Sequence, residues 1–111
     1  MSTPSRSSRM KSPDIRKMQA VQAAWIRGVL PQRDVAKTCI KLVGEAAEVA
    51  EAVGYLGKTA AGKELADCLI LLLDIAELEG IDIVEAFYDK MAENKARRWN
   101  VGAGCISHVE E

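Results

Sequence analysis

The sequence is poor in histidine, cysteine and aromatic residues, and each shortage excludes a class of protein. Its 111 residues include one histidine and three cysteines, and no two cysteines form a CxxC pair. Because His108 lies near the end of the chain, a histidine-based metal or catalytic site is disfavoured. The odd number of thiols argues against a disulfide framework and predicts a protein of a reducing cytoplasm.

The aromatic residues are two Trp, two Tyr and one Phe, although 49% of the chain is hydrophobic. A core built mostly of aliphatic side chains suits packed helices. The longest unbroken apolar run, Cys68 to Leu73, is too short to cross a membrane. The formal net charge of −1 gives no overall attraction to nucleic acid or to an anionic membrane. We therefore expect no membrane association and disfavour nucleic acid as a partner.

Pro and Gly residues divide the rest of the chain into helical segments. The periodicity of the apolar residues predicts four helices, over about residues 14–28, 34–55, 63–79 and 82–99. Gly54, Gly57 and Gly62 mark the predicted loop between the second and third helices, and no alternation typical of a strand is present. The predicted fold is all-α, with a four-helix bundle-like protomer whose two central helices are antiparallel.

The two ends of the chain differ from this helical domain, residues 14–99. Residues 1–13 contain Ser, Pro and basic residues in place of apolar ones, which predicts a flexible basic arm. Residues 100–111 have no hydrophobic period and predict a flexible tail. Within the domain, the third helix is apolar on nearly every side between Leu65 and Ile75. Such a helix must be buried from several directions, so we expect the protein to form an oligomer.

Two pairs of carboxylates interrupt the apolar segments. Glu45 and Glu48 are three residues apart in the second predicted helix, and Glu64 and Asp67 repeat that spacing in the third. Residues at i and i+3 share a helix face, so antiparallel neighbours joined by a short loop can bring both pairs together. Converging carboxylates repel one another unless a cation is present, and oxygen ligands favour Mg²⁺ or Mn²⁺. Such pairs are commonly a solvated face, but Asp67 lies in the most apolar helix, where a carboxylate requires a partner.

Basic residues form a second pattern, at the end of the fourth predicted helix. Lys90, Asn94 and Arg97 follow helical spacing, and Arg98 lies four residues after Asn94. A solvated face near a helix C-terminus is the ordinary interpretation. A clamp on phosphate groups is the functional one, with Asn94 donating or accepting hydrogen bonds.

Two further side chains are candidates for substrate contacts. Lys41 lies one helical turn before the first glutamate and can add a positive charge to the same site. Trp25 can stack on a nucleobase, although a lone Trp more often packs in a core.

The acidic residues resemble the signature of a known family. Glu45-x-x-Glu48, a spacer over residues 49–63, and Glu64-x-x-Asp67 are similar to the pattern of the MazG-like all-α nucleoside triphosphate pyrophosphatases. The later stretch KMAENKARRW, which ends at residue 99, resembles the end of small phage and bacterial members. The resemblance extends over about residues 15–99. At one position the chain departs from it, because many members have a further Glu where Gly44 stands.

The resemblance implies hydrolysis of a (d)NTP to the monophosphate and pyrophosphate, with two or more Mg²⁺ or Mn²⁺ ions per site. It implies that the four acidic residues are the metal ligands and that the phosphate contacts are Lys90, Asn94 and Arg97 or Arg98. Glu48 is our candidate for orienting the attacking water. Members assemble as dimers or tetramers, which implies a homodimer or homotetramer here. The protein is then expected in the cytoplasm of a bacterial cell, or of the host if a phage encodes it.

Three readings of the function remain open at this point. Similar small phage members act on purine deoxynucleotides, which favours dGTP or dATP as the substrate. The acidic motifs alone do not exclude a pyrimidine or a damaged dNTP. The third reading is a non-enzymatic helical module whose basic arm binds nucleic acid through salt-sensitive contacts, although the arm lacks aromatic residues for base stacking.

Overall fold

The computed structural model describes residues 14–102 and 104–109. These residues form four α-helices, which are α1 (Ile15–Val29), α2 (Val35–Glu51), α3 (Lys58–Glu79) and α4 (Ile83–Ala96). A π-helical segment, Ala52–Leu56, extends α2, and two short strands, β1 (Trp99–Gly102) and β2 (Cys105–His108), follow α4. The mostly helical fold, with four α-helices among the described residues, confirms the predicted fold class. The predicted basic arm, residues 1–13, lies outside the described residues.

Aspartates fix where three of the helices begin. The side chains of Asp14, Asp34 and Asp82 each accept hydrogen bonds from two main-chain N–H groups of the following turn. Capping of this kind stabilises a helix by about 0.5–2 kcal/mol. Gly80 ends α3 in the left-handed conformation, with φ of 65°, which a residue with a side chain rarely adopts. These boundaries agree with the sequence prediction.

The connection between α2 and α3 is much shorter than predicted. The expected loop over three glycines is wrong, because the π-helical segment continues to Leu56 and α3 begins at Lys58 rather than Lys63. Of these three glycines, only Gly57 has a backbone conformation that favours glycine, with φ of 91°. Gly54 and Gly62 lie inside helices, where glycine costs about 1 kcal/mol relative to alanine but is tolerated.

The chain forms two compact units, Met1–Ile81 and Asp82–Glu111. In the first unit α3 packs against both α2 and α1, and the single-residue connection makes α2 and α3 antiparallel, as predicted. The buried apolar side chains among the described residues are few and include only one large one: Ala23, Ala52, Leu73 and Ala76. On α3 itself, Leu65 and Leu72 remain 55% and 46% exposed. Burial of α3 from every side is therefore not achieved within one chain.

The second unit contains α4 and an antiparallel hairpin that the sequence prediction missed. Trp99 pairs with His108 and Gly102 pairs with Cys105, so the predicted absence of strands is wrong. The helix ends at Ala96, and the indole Nε1 of Trp99 donates a 2.7 Å hydrogen bond to the main-chain oxygen of Asn94. This hydrogen bond uses a carbonyl of the last helical turn, and α4 ends three residues earlier than the apolar spacing predicts.

None of the helices in the described part of the chain combines the length and the apolar character that a bilayer crossing requires.

Candidate metal centre

Three of the four predicted acidic residues meet where α2 and α3 pack together. Each of Glu45, Glu48 and Glu64 offers one carboxylate oxygen, and these oxygens all lie within 4.8 Å of one another. The first two come from one face of α2, and the tight connection at Gly57 folds Glu64 of α3 back against them. A separation of this size lets one ion be shared by ligands from two helices.

The carboxylate group is incompletely satisfied by the protein. One oxygen each of Glu45 and Glu64, the Oε2 atoms, is hidden from solvent and has no hydrogen-bond partner among the described residues. A buried acceptor without a partner costs roughly 1–3 kcal/mol. A divalent cation supplies what these oxygens lack, and an all-oxygen donor set suits the hard ions Mg²⁺ and Mn²⁺.

Electrostatic crowding raises the pKa of Glu45. The neighbouring Glu48 carboxyl, which favours a shared proton, raises the pKa of Glu45 above its ordinary value of 4.5. Partial burial and the negative charges of Glu48 and Asp67 raise this pKa further, whereas the Glu64 carboxyl, as a possible proton donor to Glu45, opposes the rise. Bringing a carboxyl among other carboxylates makes its charged form unfavourable. The site therefore holds a proton more tightly when no cation is bound.

Asp67 stands at the edge of this arrangement. It is exposed and lies outside the 4.8 Å group, although it contributes to the shift of Glu45. Its neighbour Cys68 is half-buried. Burial is the main cause that raises the pKa of the Cys68 thiol, and the negative charges of the four acidic residues raise it further. A thiol that stays protonated is a poor nucleophile and a poor metal ligand. The charges of all four predicted carboxylates therefore influence the Cys68 thiol of α3, and three of the four carboxylates converge.

A second ionic contact on α3 has a different character. The Arg33 guanidinium donates from Nε to both oxygens of Asp74, at 2.8 and 3.1 Å, and both side chains are buried. Sequence reasoning missed Arg33 as a structural residue because it lies 41 positions before its partner, in the segment between α1 and α2. An isolated arginine in a connecting segment carries no pattern that predicts such a pair.

The two further candidates for substrate contacts, Trp25 and Lys41, lie on α1 and α2. Trp25 is 60% exposed and lines an open apolar cavity of about 680 Å³ between α1 and α3, together with Val21, Leu69 and Leu73. By helical spacing, Leu69 and Leu73 lie on the face of α3 opposite Glu64. The expectation that a lone Trp packs in the core is therefore wrong within one chain. Lys41 is exposed on α2, one turn before Glu45.

The basic residues of the second unit are placed as follows. Glu93 forms ion pairs with Lys90, at 3.5 Å, and with Arg97. Asn94 is half-buried, and its Oδ1 is hidden from solvent without a hydrogen-bond partner in the described chain. Arg97 caps the end of α4 and Arg98 follows it. The two arginines therefore lie beyond the helix, and the predicted single helical stripe ends at Asn94.

Comparison with known proteins gives consistent results. A family model, the MazG nucleotide pyrophosphohydrolase domain, matches residues 34–101. The chain is 36% identical over 96 residues to a dATP/dGTP diphosphohydrolase of Cyanophage S-2L, covering 86% of this chain and 88% of the relative. It is 40% identical over 110 residues to a dATP/dGTP diphosphohydrolase of Salmonella phage PMBT28. That alignment covers 96% of this chain but spans only 36% of the longer Salmonella phage protein.

Among solved structures, the chain is similar to the Cyanophage S-2L MazG-like pyrophosphohydrolase bound to dGDP and three catalytic Mn²⁺ ions per active site. The TM-score is 0.74 at 35% sequence identity, and the match covers 88% of this chain and 94% of the other. The matched segment of the family model includes α2, α3 and the carboxylates that they bring together. By its sequence, its fold and this extent of similarity, the chain belongs to the MazG nucleotide pyrophosphohydrolase family.

Proposed function

We propose that this protein hydrolyses a purine deoxynucleoside triphosphate, dGTP or dATP, to the monophosphate and pyrophosphate, with Mg²⁺ or Mn²⁺ as cofactor. The observation that carries the proposal is the convergence of Glu45, Glu48 and Glu64, whose ligand oxygens lie within 4.8 Å of one another. The purine preference is supported by the two phage relatives, both described as dATP/dGTP diphosphohydrolases.

The carboxylates fit the proposed cofactor in number and in chemistry. Glu45, Glu48 and Glu64 would hold the ions, with Asp67 completing the set at its edge, and the two orphaned glutamate oxygens would gain a partner. Four carboxylates suit two or more ions, and the related Cyanophage S-2L structure contains three Mn²⁺ ions per active site. When bound, such ions stabilise negative charge on phosphate oxygens and acidify water.

Glu48 is the candidate for handling the attacking water. It is the exposed member of the converging group, so its carboxylate can accept a proton from a water molecule that approaches from solvent. The oxygen of that water bonds to the α- or β-phosphorus, and the bond to the oxygen that bridges them breaks. The products are the nucleoside monophosphate and pyrophosphate, and the proton leaves through Glu48 to solvent.

Cationic side chains are proposed to bind the substrate phosphates. Lys90, Arg97 and Arg98, with the amide of Asn94, supply donors that suit phosphate oxygens. The pairs with Glu93 hold Lys90 and Arg97 in place before substrate binds. Lys41 remains a proposed contributor from α2.

We also propose that the active protein is a homodimer or homotetramer. The apolar cavity between α1 and α3 is open, and Val21, Trp25 and Leu65 are all more than half exposed. An apolar surface of this extent is rare on a soluble monomer. Because the cavity lies on the face of α3 opposite Glu64, a base that stacks on Trp25 would belong to a site whose carboxylates come from another subunit. Light scattering on the purified protein gives the mass, and a monomer at micromolar concentration would contradict this part of the proposal.

The activity is tested by measuring pyrophosphate release from a panel of dNTPs and NTPs with Mg²⁺ or Mn²⁺. We expect release from dGTP or dATP that requires the metal and is lost in Glu48→Gln. Release from pyrimidine nucleotides alone would correct the base assignment. Absence of release from every nucleotide, with folding verified by circular dichroism, would favour the binding module. Deletion of residues 1–13 separates these readings, because a pyrophosphohydrolase keeps its turnover and a nucleic-acid binder loses its ligand.

A further inference from the structure

A cavity in the second unit contains the only histidine of the chain. Its volume is about 350 Å³, and it is lined by Ala96, Arg97, Arg98 and His108. Three of these four residues carry or can acquire a positive charge, and among the described residues no carboxylate lines the cavity. The histidine comes from the hairpin and the arginines from the end of α4, so the cavity exists only because the hairpin folds back.

The walls of this cavity are held by specific contacts. Strand pairing places His108 opposite Trp99, and their rings lie 5.8 Å apart between centroids. The indole of Trp99 is in turn hydrogen-bonded to the main-chain oxygen of Asn94. The N–H of Val109 donates to the main-chain oxygen of Arg98 at 3.1 Å, which closes the base of the hairpin. The imidazole and the Arg98 backbone are thus positioned before any ligand arrives, which lowers the entropic cost of binding.

The charges around the cavity favour an anion. Arg97 is ion-paired with Glu93, so its charge is largely compensated. Arg98 is exposed, and no carboxylate of the described chain forms an ion pair with it. The carbonyls at a helix C-terminus ordinarily repel anions. Here the Asn94 carbonyl already accepts hydrogen bonds from the N–H of Arg97 and from Trp99, which reduces that repulsion.

We propose that this cavity is a phosphoanion site, in which Arg98 and His108 together bind a phosphate group. His108 lies beyond the segment matched by the family model, so this half of the site belongs to the hairpin of this chain. Guanidinium and protonated imidazole groups form short, charge-assisted hydrogen bonds with phosphate oxygens. The choice of phosphate as the ligand rests on the proposed function, whose substrate and product both carry such groups.

The single histidine makes a direct binding test possible. In metal-free buffer with chelator, the carboxylate group cannot recruit the ligand, and the imidazole signals in an NMR spectrum come from one residue. We expect titration with pyrophosphate to shift these signals in a saturable way. Arg98→Gln should weaken the affinity about tenfold, the effect of one charge-assisted hydrogen bond. Lys95→Gln removes a charge from the exposed surface of α4 outside the cavity and should change the affinity less than twofold.

Substitution of the histidine gives a second readout. His108 lines the cavity beside the two arginines. His108→Gln should therefore weaken the binding of pyrophosphate measured by isothermal titration calorimetry in the same metal-free buffer, whereas Lys95→Gln should leave the affinity within twofold of the wild type. Equal affinities of His108→Gln and the wild type would remove the histidine from the site.

Kinetics on the metal-loaded enzyme identify the source of the phosphate. If the site takes the nucleotide, both Arg98→Gln and His108→Gln raise KM for dGTP. If it takes the released product, His108→Gln leaves KM unchanged and weakens inhibition by pyrophosphate. Either result supports the site. The proposal is overturned if millimolar pyrophosphate leaves the imidazole signals unmoved, or if Lys95→Gln weakens binding as much as Arg98→Gln. An enzyme without activity but with a saturable imidazole shift would instead contradict the proposed function alone.

Discussion

Asp67 and Asp74 of α3 lie two turns apart on nearly the same face of one helix, and their surroundings are opposite. Asp74 is 4% exposed, and Arg33 binds both of its carboxylate oxygens. Asp67 is exposed, and its charge adds to the crowding around Glu45. The C-terminal half of α3 therefore carries a negative charge that a neighbouring arginine compensates. The N-terminal half carries carboxylates that lie near other carboxylates.

The difference in surroundings indicates that Asp74 serves the stability of the fold, whereas the region around Asp67 serves the chemistry of the proposed metal site. A buried ion pair is costly to break, because the remaining charge stays buried in the low-dielectric interior without a partner. Clustered carboxylates with hidden, unpartnered oxygens instead destabilise the protein unless a ligand compensates them. Natural proteins break the rules of local stability mainly where function requires it. Substitutions at the two ends of α3 should consequently differ in which property they change.

The largest effect is expected at the carboxylate group and on activity alone. Glu48→Gln should lower kcat about 10²–10⁴-fold, the range for loss of a general base, and should leave the melting temperature nearly unchanged. Glu51→Gln, an equal change on the next turn of α2, should retain activity because Glu51 lies outside the converging group. Pyrophosphate release and thermal melting of the same samples measure both properties. An equal decrease of kcat in Glu48→Gln and Glu51→Gln would contradict a specific role of Glu48 in the reaction.

At the other end of α3 the effect should be on stability. Asp74→Ala leaves the Arg33 guanidinium buried without its partner, and breaking such a pair costs about 3–5 kcal/mol of unfolding free energy. Urea denaturation at a fixed protein concentration measures the loss. The double variant Arg33→Met, Asp74→Leu should recover most of it, because apolar side chains of similar size replace a buried pair at little cost. A single variant as stable as the wild type would mean that the pair contributes nothing to the fold.

Divalent cations should stabilise the protein, and more strongly at higher pH. Without a cation, the raised pKa of Glu45 means that the folded state binds a proton more tightly than the unfolded state. Stability of the metal-free protein therefore falls as the pH rises above 4.5 through the shifted value. Mn²⁺ must displace that proton, so its stabilisation should grow over the same interval. At a concentration of 100 times Kd it reaches about 2.7 kcal/mol.

Thermal melting with and without Mn²⁺, at about pH 5 and about pH 7, measures this trend. The control is Glu45→Gln, which removes the titrating group and should lose most of the pH dependence. A stabilisation that is constant across this interval in the wild type would contradict the linkage between the proton and the cation.

The smallest expected effect is a change in melting temperature, and its sign tests the contrast between the two ends of α3. In metal-free buffer Asp67→Asn removes one of the charges that crowd Glu45, so the melting temperature should stay level or rise by about 2 °C. An acidic residue of the same helix thus changes stability in the opposite sense to Asp74. A clear decrease in the melting temperature of Asp67→Asn would show that Asp67 has a stabilising partner in the metal-free protein.

Local chemistry made much of the fold predictable. Asp14, Asp34 and Asp82 precede apolar segments with helical period, and capping depends only on the neighbouring residues. The glycines between α2 and α3 were misleading, because composition does not reveal which glycine adopts a positive φ. Gly57 does, whereas Gly54 and Gly62 lie inside helices.

The hairpin and the ion pair depend on contacts between distant residues. Strands of four residues are too short for a clear alternation, and β1 is held by the contacts of Trp99 with Asn94 and His108. Spacing correctly indicated that Glu45, Glu48 and Glu64 converge, because a helix face is a local property. It could not indicate that Arg33 binds Asp74, nor that His108 lines the same cavity as Arg98, since these arrangements exist only after the chain has folded.

The single-residue turn at Gly57 also bears on the kinetics of folding. Glu48 and Glu64 are only sixteen positions apart in the chain, so closing the loop between them costs little entropy. Helical hairpins rich in such local contacts form quickly. We therefore expect the α2–α3 hairpin to be among the first tertiary structures on the folding pathway. Repulsion between its carboxylates would then slow its closure, and a divalent cation in the medium would accelerate it.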